Sequence, residues 1–113
     1  MTDVTDGEQV RAGRREANLR LINERIADNA PDVTRTEDEL VLLCECAHES
    51  CNSTIGVDTV VFDRVRDDSR RFIVLDGHVL HEVEDIVERG PDWILVEKRG
   101  TAAQAARRVL DDA

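Results

Sequence analysis

Apolar residues in the first quarter of the chain recur at the three- and four-residue spacing of a helix. The largest of them form a narrow stripe, called here the helix stripe, of Leu19, Ile22 and Ile26. The Thr-x-x-Glu pattern at 5–8 is a capping box that opens a helix, and Pro31 can end one. The pattern predicts an N-terminal helical arm over residues 1–30 and a polar linker over 31–38.

The polar face of this helix carries charges at i,i+4 spacing. Glu16 can pair with Arg20, and Arg20 with Glu24, in an arrangement that stabilises exposed helix surface. We therefore predict that these charges face solvent. The helix stripe is too narrow to bury much surface by itself, and we predict that it binds a protein partner.

Apolar segments bounded by polar turns follow, and they predict strands. These segments are ELVLLCEC (39–46), STIGVD (53–58), RRFIVL (70–75) and WILVEK (93–98). The segment TVVFDRVRDD predicts a short helix, because Val61, Phe62 and Val65 share one of its faces. Asp58 can cap this helix at its N-terminus.

The segment over 79–90 fits two structures. Its apolar residues have helical spacing, but it can also be a strand that turns at Gly90-Pro91-Asp92 and pairs with WILVEK. We favour the hairpin because it extends the sheet. A second capping-box pattern, TAAQ at 101–104, predicts a C-terminal helix that completes a domain over 39–113.

Charge and composition narrow the class of protein. The 113 residues are the size of one domain, and their formal net charge is −10. Nucleic acids and anionic membranes attract Lys and Arg, so this charge argues against both and favours a basic protein partner. The chain has neither an apolar run of roughly 20 residues nor a secretory signal at MTDVTDGEQV, which predicts a cytoplasmic protein with reduced thiols.

All three cysteines, Cys44, Cys46 and Cys51, lie close together in the sequence. Side chains two residues apart on a strand share a face, with Cα atoms about 6.6 Å apart, so Cys44 and Cys46 can converge on one cation. A turn over 47–50 can return Cys51 to the same ion. Because the cysteine count is odd and the compartment is reducing, metal is favoured over disulfides. The cluster predicts a zinc knuckle that supplies three thiolates.

Tetrahedral zinc takes a fourth ligand, and the histidines are the candidates. His48 lies inside the knuckle, where it would strain the loop. His78 follows Asp76-Gly77 at the end of a predicted strand, and glycine permits a turn that aims the imidazole at a neighbouring strand end. His81 is a near alternative, and water is another. We favour His78.

Other interpretations of the cysteines stay open at this point. They could be small buried residues of the core. They could also form a redox pair, with a strained disulfide between Cys44 and Cys46 that Cys51 resolves. An iron–sulfur cluster is disfavoured because it usually takes four cysteines. Neither a nucleophile elbow nor a phosphate-binding loop accompanies the cluster, so the sequence points away from an enzyme.

The motifs CECA with a later cysteine, RRFIV, Gly-His and VER…WILVEK together resemble a group of small actinobacterial proteins with a CECAxxxxC knuckle and a downstream Gly-His. The likeness covers residues 17–99 and implies a metal site, without carrying an activity. Carried over to this chain, the motif falls on Cys44, Cys46, Cys51 and His78. The resemblance therefore ranks His78 above His81.

The sequence as a whole predicts an α+β fold: a small, mostly antiparallel sheet with a zinc knuckle and flanking N- and C-terminal helices. We hypothesise a non-enzymatic, zinc-stabilised interaction or regulatory module, because four protein ligands make a closed structural site. One alternative is a zinc-dependent thiol redox switch, and another is a zinc hydrolase with a three-cysteine site and a bound water. The site would carry a charge near −1, and we expect backbone N–H groups and Arg70 or Arg71 to support it.

Overall fold

The computed structural model describes residues 5–29 and 39–113. Within those ranges the chain forms helices and strands in the order α1 (Asp6–Asn29), β1 (Glu39–Leu43), β2 (Thr54–Asp58), α2 (Thr59–Arg66), β3 (Arg71–Val74), β4 (Glu84–Arg89), β5 (Ile94–Lys98) and α3 (Gly100–Asp112). Pro31 and the predicted linker over 31–38 lie outside the described residues. The division into arm, linker and domain stays a prediction.

The strands form two antiparallel sheets. β1 and β2 make a hairpin in which Leu42 lies opposite Ile55. The second sheet has the order β3-β5-β4, so β5 is central and pairs with both neighbours. Just beyond β1, the backbone N–H of Glu45 links the sheets by donating to the carbonyl of Ile73 over 2.8 Å. This arrangement, with helices at both ends of the chain, confirms the predicted α+β class.

The first strand is shorter than the apolar run that predicted it. β1 ends at Leu43, and only one further hydrogen bond, from Cys44 N–H to the Ser53 carbonyl (3.0 Å), continues its pairing with β2. The strand predicted over 39–46 is therefore wrong for its last part. Cys44 and Cys46 belong to the loop between β1 and β2, where the N–H of Glu45 donates to Ile73 of the second sheet and the carbonyl of Cys46 accepts from Arg15 of α1.

Part of the ambiguous segment over 79–90 is a strand. β4 pairs antiparallel with β5, with a bulge between Ile86 and Glu88. The hairpin turns where the Gly-Pro-Asp motif predicts, and the N–H of Gly90 donates to the carbonyl of Trp93 over 2.9 Å. The favoured hairpin is thus confirmed.

Helix α1 packs closely along α3. The buried face of α3 consists of alanines, which are Ala102, Ala103, Ala105 and Ala106. Gly13 of α1 faces them, and a Cβ atom at that position would collide with the backbone carbonyl of Ala102. Small residues on both helices therefore set a short separation between their axes.

The inward face of α1 is polar, contrary to prediction. Glu16, Arg20 and Asn23 are each at most 3% exposed. The Arg20 guanidinium donates to backbone carbonyls around the end of α2, those of Arg66, Asp68 and Arg71. The predicted solvent position of Glu16 and Arg20 is wrong, because i,i+4 spacing does not distinguish exposed pairs from charges that satisfy polar groups of neighbouring elements.

The capping residues predicted for the first two helices are confirmed. Thr5 Oγ1 accepts a hydrogen bond from the N–H of Glu8 (3.1 Å), and the carboxylate of Asp58 accepts one from the N–H of Val60 (3.0 Å). The capping box predicted for α3 is wrong. That helix begins earlier, at Gly100 with φ of 62°, and no side chain caps it.

The core lies between the helices and the two sheets and is mainly aliphatic. Phe62 and Phe72 are completely buried in it, and Trp93 is also buried. Among the helices of the described ranges, none combines the length and apolar character needed to cross a membrane.

Candidate metal centre

Four side chains from two separate loops meet at one point. They are Cys44, Cys46, Cys51 and His78, and their ligand atoms all lie within 4.8 Å of one another. The first two are buried and the other two are half-buried. The structure thus brings together the four residues that the sequence pattern selects.

The distances from His78 to the sulfurs are nearly equal. Its Nδ1 lies 3.5 Å from Sγ of Cys46 and 3.6 Å from Sγ of both Cys44 and Cys51. Zinc bonds of about 2.0 Å to nitrogen and about 2.3 Å to sulfur, at a tetrahedral angle, place the two ligand atoms about 3.5 Å apart. The donor set therefore fits a single tetrahedral ion.

Backbone hydrogen bonds shape the loop between β1 and β2, which supplies the cysteines. The N–H of Cys51 donates to the carbonyl of His48 over 3.0 Å and closes a tight turn. This local folding holds Cys46 and Cys51 next to each other.

The turn after β3 supplies His78. The N–H of His78 donates to the carbonyl of Leu75 over 3.1 Å, and Gly77 between them has φ of 84°, which glycine adopts without strain. At the start of this turn, the N–H of Leu75 donates to Cys44 Sγ over 3.3 Å. The predicted role of Gly77 is consistent with this geometry, and the turn contacts the knuckle directly.

Arg15 of α1 holds the knuckle, and the sequence did not single it out. Its Nε donates to the carbonyl of Cys46 and its Nη2 to that of Cys51, both over 3.1 Å. The guanidinium brings positive charge to the loop that carries the cysteines. Arg70 and Arg71, which were expected in this role, instead form ion pairs with Asp68 and Glu97, so that prediction is wrong.

Asn23 and Glu45 hold the other side of the knuckle. The Asn23 side chain bonds the backbone of Leu43 and donates to Glu45 Oε2 over 2.8 Å. Glu45 Oε1 accepts from the N–H of Ile73 over 3.0 Å. Burial raises the pKa of Glu45 to about 7, although these hydrogen bonds lower it. The carboxyl thus ties α1, the knuckle and β3 together.

A hydrogen bond between two of the sulfurs gives their thiols very different pKa values. The pKa of Cys46 is lowered to about 4, chiefly because the Cys44 thiol donates to its thiolate. The same hydrogen bond, together with burial, raises the pKa of Cys44. One thiolate therefore forms readily, while full deprotonation of the cluster requires the positive charge of a metal ion.

A buried charge cluster contacts the segment that follows His78. Lys98, the single lysine of the chain, contacts Glu16 of α1 and Glu84 of β4 with its ammonium. Glu84 also accepts from the N–H of Leu80 over 3.0 Å, two residues beyond His78. This cluster, called here the Lys98 cluster, links α1 to the segment that carries the histidine. In the sequence, the only sign of this cluster was that Lys98 is the single lysine.

The other histidines lie outside the group of four. His48 is exposed, and its ring meets that of His78 edge-on with centroids 5.2 Å apart. His81 is exposed, and its carbonyl accepts from Arg99 over 2.7 Å. The fourth position in the cluster therefore belongs to His78.

The helix stripe is partly covered. Ile22 is 44% exposed, while Leu19 and Ile26 are half-buried and Ile26 packs against the core. Its role in binding a partner stays a prediction.

No family model matches the chain, and neither a curated protein nor a solved structure matches it significantly. What the site binds therefore follows from its geometry and chemistry.

Proposed function

We propose that Cys44, Cys46, Cys51 and His78 bind one zinc ion, and that the protein is a non-enzymatic, zinc-stabilised interaction or regulatory module. The observation that carries this proposal is the near-equal spacing of three sulfurs around one imidazole nitrogen. Three sulfur donors and one nitrogen in a tetrahedral arrangement are typical of structural zinc.

The same spacing disfavours an iron–sulfur cluster. A two-iron cluster divides its four ligands between two metal atoms, so one histidine would not lie equally far from all three sulfurs. It also disfavours a hydrolase with a three-cysteine site. In that alternative a water takes the fourth position, and His78 Nδ1 lies where this water would have to bind.

The proposed ion would stabilise the fold by joining two loops. It would connect the β1–β2 loop to the turn after β3, beside the backbone hydrogen bond between Glu45 and Ile73. Zinc can contribute on the order of 10 kcal/mol to the folding of a small domain. We infer that the ion fixes the relative position of the two sheets.

For the interaction role we propose two surfaces. One is the exposed part of the helix stripe at Ile22, and the other is the acidic surface that a net charge of −10 produces. A basic protein with an apolar contact residue would match both. We expect Ile22→Asp to weaken such an association and Asn18→Asp, an exposed change on the same helix, to affect it less.

Metal content tests the zinc site directly. Protein purified without chelator is analysed by elemental mass spectrometry as wild type, His78→Ala and His81→Ala. We expect one zinc per chain in the wild type and in His81→Ala, and strongly reduced zinc in His78→Ala. A wild type without metal, or equal zinc in all three proteins, would contradict the proposed ligand set. Cobalt substitution then checks for a tetrahedral spectrum with sulfur ligands.

A further inference from the structure

The four proposed ligands differ in their access to solvent. Cys44 and Cys46 are 2% and 0% exposed, whereas Cys51 is half-buried. Cys51 and His78 line a surface groove of about 390 Å³, together with Ser50, Asn52 and Ser53. A small polar molecule in this groove can therefore contact Cys51, while Cys44 and Cys46 are shielded from solvent.

The surroundings of Cys51 also suit thiol chemistry. Reactive cysteines are thiolates in partly exposed, electropositive positions. Zinc would keep the sulfur of Cys51 as a thiolate, and the Arg15 guanidinium is bound to the carbonyl of the same residue over 3.1 Å. The groove is lined mainly by polar side chains, among them Ser50, Asn52 and His48, which suit a small polar oxidant such as hydrogen peroxide better than an apolar substrate.

A second sulfur must react for the product to be a disulfide, and the backbone favours Cys46 over Cys44. Arg15 holds the carbonyls of Cys46 and Cys51 side by side in one loop. Cys44 is bound at its N–H by the carbonyl of Ser53, just before β2, and at its sulfur by the N–H of Leu75, just after β3. Moving Cys44 toward Cys51 would break both of these contacts.

On this basis, and resting on the proposed zinc site, we propose that Cys51 is a peroxide-oxidised residue and that Cys46 resolves it. The Cys51 thiolate attacks one oxygen of hydrogen peroxide, so an S–O bond forms, the O–O bond breaks and hydroxide leaves. The Cys46 thiolate then attacks the Cys51 sulfur, so an S–S bond forms and a second hydroxide leaves. The two sulfurs lose two electrons to the peroxide, and two protons convert the hydroxides to water.

The disulfide leaves two of the four ligands, Cys44 and His78, and the zinc ion is released. Disulfide formation also changes the conformation of the loop whose two carbonyls Arg15 binds. Because Arg15 lies in the first half of α1, this part of the helix responds to oxidation of the site. The second half of this helix is held elsewhere by Arg20, through carbonyls at the end of α2 and the start of β3. Asn23 in that second half also bonds Leu43 and Glu45 beside the cysteines, so both halves of α1 contact the loop that oxidation changes.

The test uses the full chain, with its zinc content measured first. Hydrogen peroxide is added in increasing amounts, released zinc is followed with a chromogenic chelator, and peptides are mapped after alkylation of free thiols. We expect zinc release in step with a Cys46–Cys51 disulfide, with Cys44 still alkylated, and reversal by a thiol reductant in the presence of zinc. Peptide mapping also separates these products from oxidation of Met1, the single methionine.

Cys51→His and Cys44→His form a matched pair, because each keeps four possible ligands and removes one sulfur. Peroxide-driven zinc release is expected to be lost in Cys51→His and kept in Cys44→His. A wild-type disulfide that includes Cys44, or zinc-loaded protein whose thiols stay unoxidised, would overturn the proposal while leaving the zinc site intact. Wild type that holds no zinc at the outset would instead refute the zinc site itself. If a variant loses zinc before oxidation, the wild-type peptide map alone decides.

Discussion

The side-chain amide of Asn23 pairs with the backbone of Leu43 as a neighbouring strand would. Its Oδ1 accepts from the Leu43 N–H over 2.8 Å, and its Nδ2 donates to the Leu43 carbonyl over 2.9 Å. β1 ends at this residue, and the cysteine loop begins one residue later. A helix side chain therefore satisfies the backbone of the last β1 residue, directly before the first of the proposed metal ligands.

Replacing Asn23 by Ala should destabilise the zinc-loaded protein by on the order of 3 kcal/mol. The change leaves the N–H and carbonyl of Leu43 and one oxygen of Glu45 without this partner in a buried place, and each such loss is costly. Urea denaturation measures the free energy of unfolding. Asn18→Ala, an exposed change on the same helix, is the control and should alter it by less than about 0.5 kcal/mol. Equal effects would show that the Asn23 contacts contribute little.

The sequence predicted the strands, the hairpin of β4 and β5, and the residues that meet at the candidate site, because each of these leaves a local signal. Apolar runs between polar turns marked the strands, and the clustered cysteines with Gly77-His78 marked the site. The end of β1 left no such signal. The backbone of its last residue, Leu43, is bonded by Asn23, which lies twenty residues earlier in the chain.

The buried polar face of α1 illustrates what pattern analysis misses. Glu16, Arg20 and Asn23 share their side of the helix with small residues, Ala12, Gly13, Ala17 and Ala27. A stripe of small residues on a helix indicates close packing against a neighbour, so the sequence did mark this face as buried. The i,i+4 spacing of the charged residues suggested an exposed face instead. The partners themselves could not be predicted, because Arg15 and Arg20 bind backbone carbonyls, which every residue offers.

Two substitutions in the Lys98 cluster should lower the free energy of unfolding by unequal amounts. Lys98→Met leaves two buried carboxyl groups without their cation, and loss of one partner from a buried pair costs about 3–5 kcal/mol. Glu16→Gln should cost less than about 1.5 kcal/mol, because a neutral amide can still donate to Glu84. Urea denaturation at neutral pH compares both with the wild type. A larger cost for Glu16→Gln than for Lys98→Met would contradict this account.

The same cluster predicts a dependence of stability on pH. Burial raises the pKa of Glu16 well above its ordinary value of 4.5, with Glu84 adding to the rise and Lys98 opposing it. Above that ordinary value the unfolded chain loses this proton while the native state keeps it. The native state therefore binds more protons, and its stability falls as pH rises toward the pKa of the folded state.

Glu16→Gln removes this titration, so the stability of the wild type relative to the variant should decline with rising pH. The decline is at most about 1.4 kcal/mol per pH unit for one proton. Unfolding of both zinc-loaded proteins, measured at several pH values above that ordinary pKa, provides the test, since effects of pH on zinc binding are common to the two. A difference that stays constant with pH would show that Glu16 is ionised in the folded protein.

Two glycines of α1 should respond in opposite ways to alanine. At Gly13 the added methyl would collide with the backbone of α3 at Ala102, which cannot move aside cheaply, and overpacking of this kind costs about 1–3 kcal/mol. At Gly7 the nearest atom to the added methyl is 3.6 Å away, on the flexible side chain of Arg11, so helix propensity should dominate and stabilise by about 0.5 kcal/mol. Melting temperatures would distinguish the two, and a neutral Gly13→Ala would disprove the close helix contact.

Removal of metal by a chelator should loosen the two loops and leave much of the fold in place. The helices are also held by contacts that do not involve the sulfurs, including the Gly13–Ala102 approach and the Lys98 cluster, and Phe62 and Phe72 are buried in the core. Hydrogen exchange should therefore accelerate over 44–53 and 75–80 while the amides of α3 stay protected. Far-UV circular dichroism should retain most of its helical signal. Cooperative loss of protection in α3 along with the loops would instead mean that the ion is required for the whole fold, as in the smallest zinc domains.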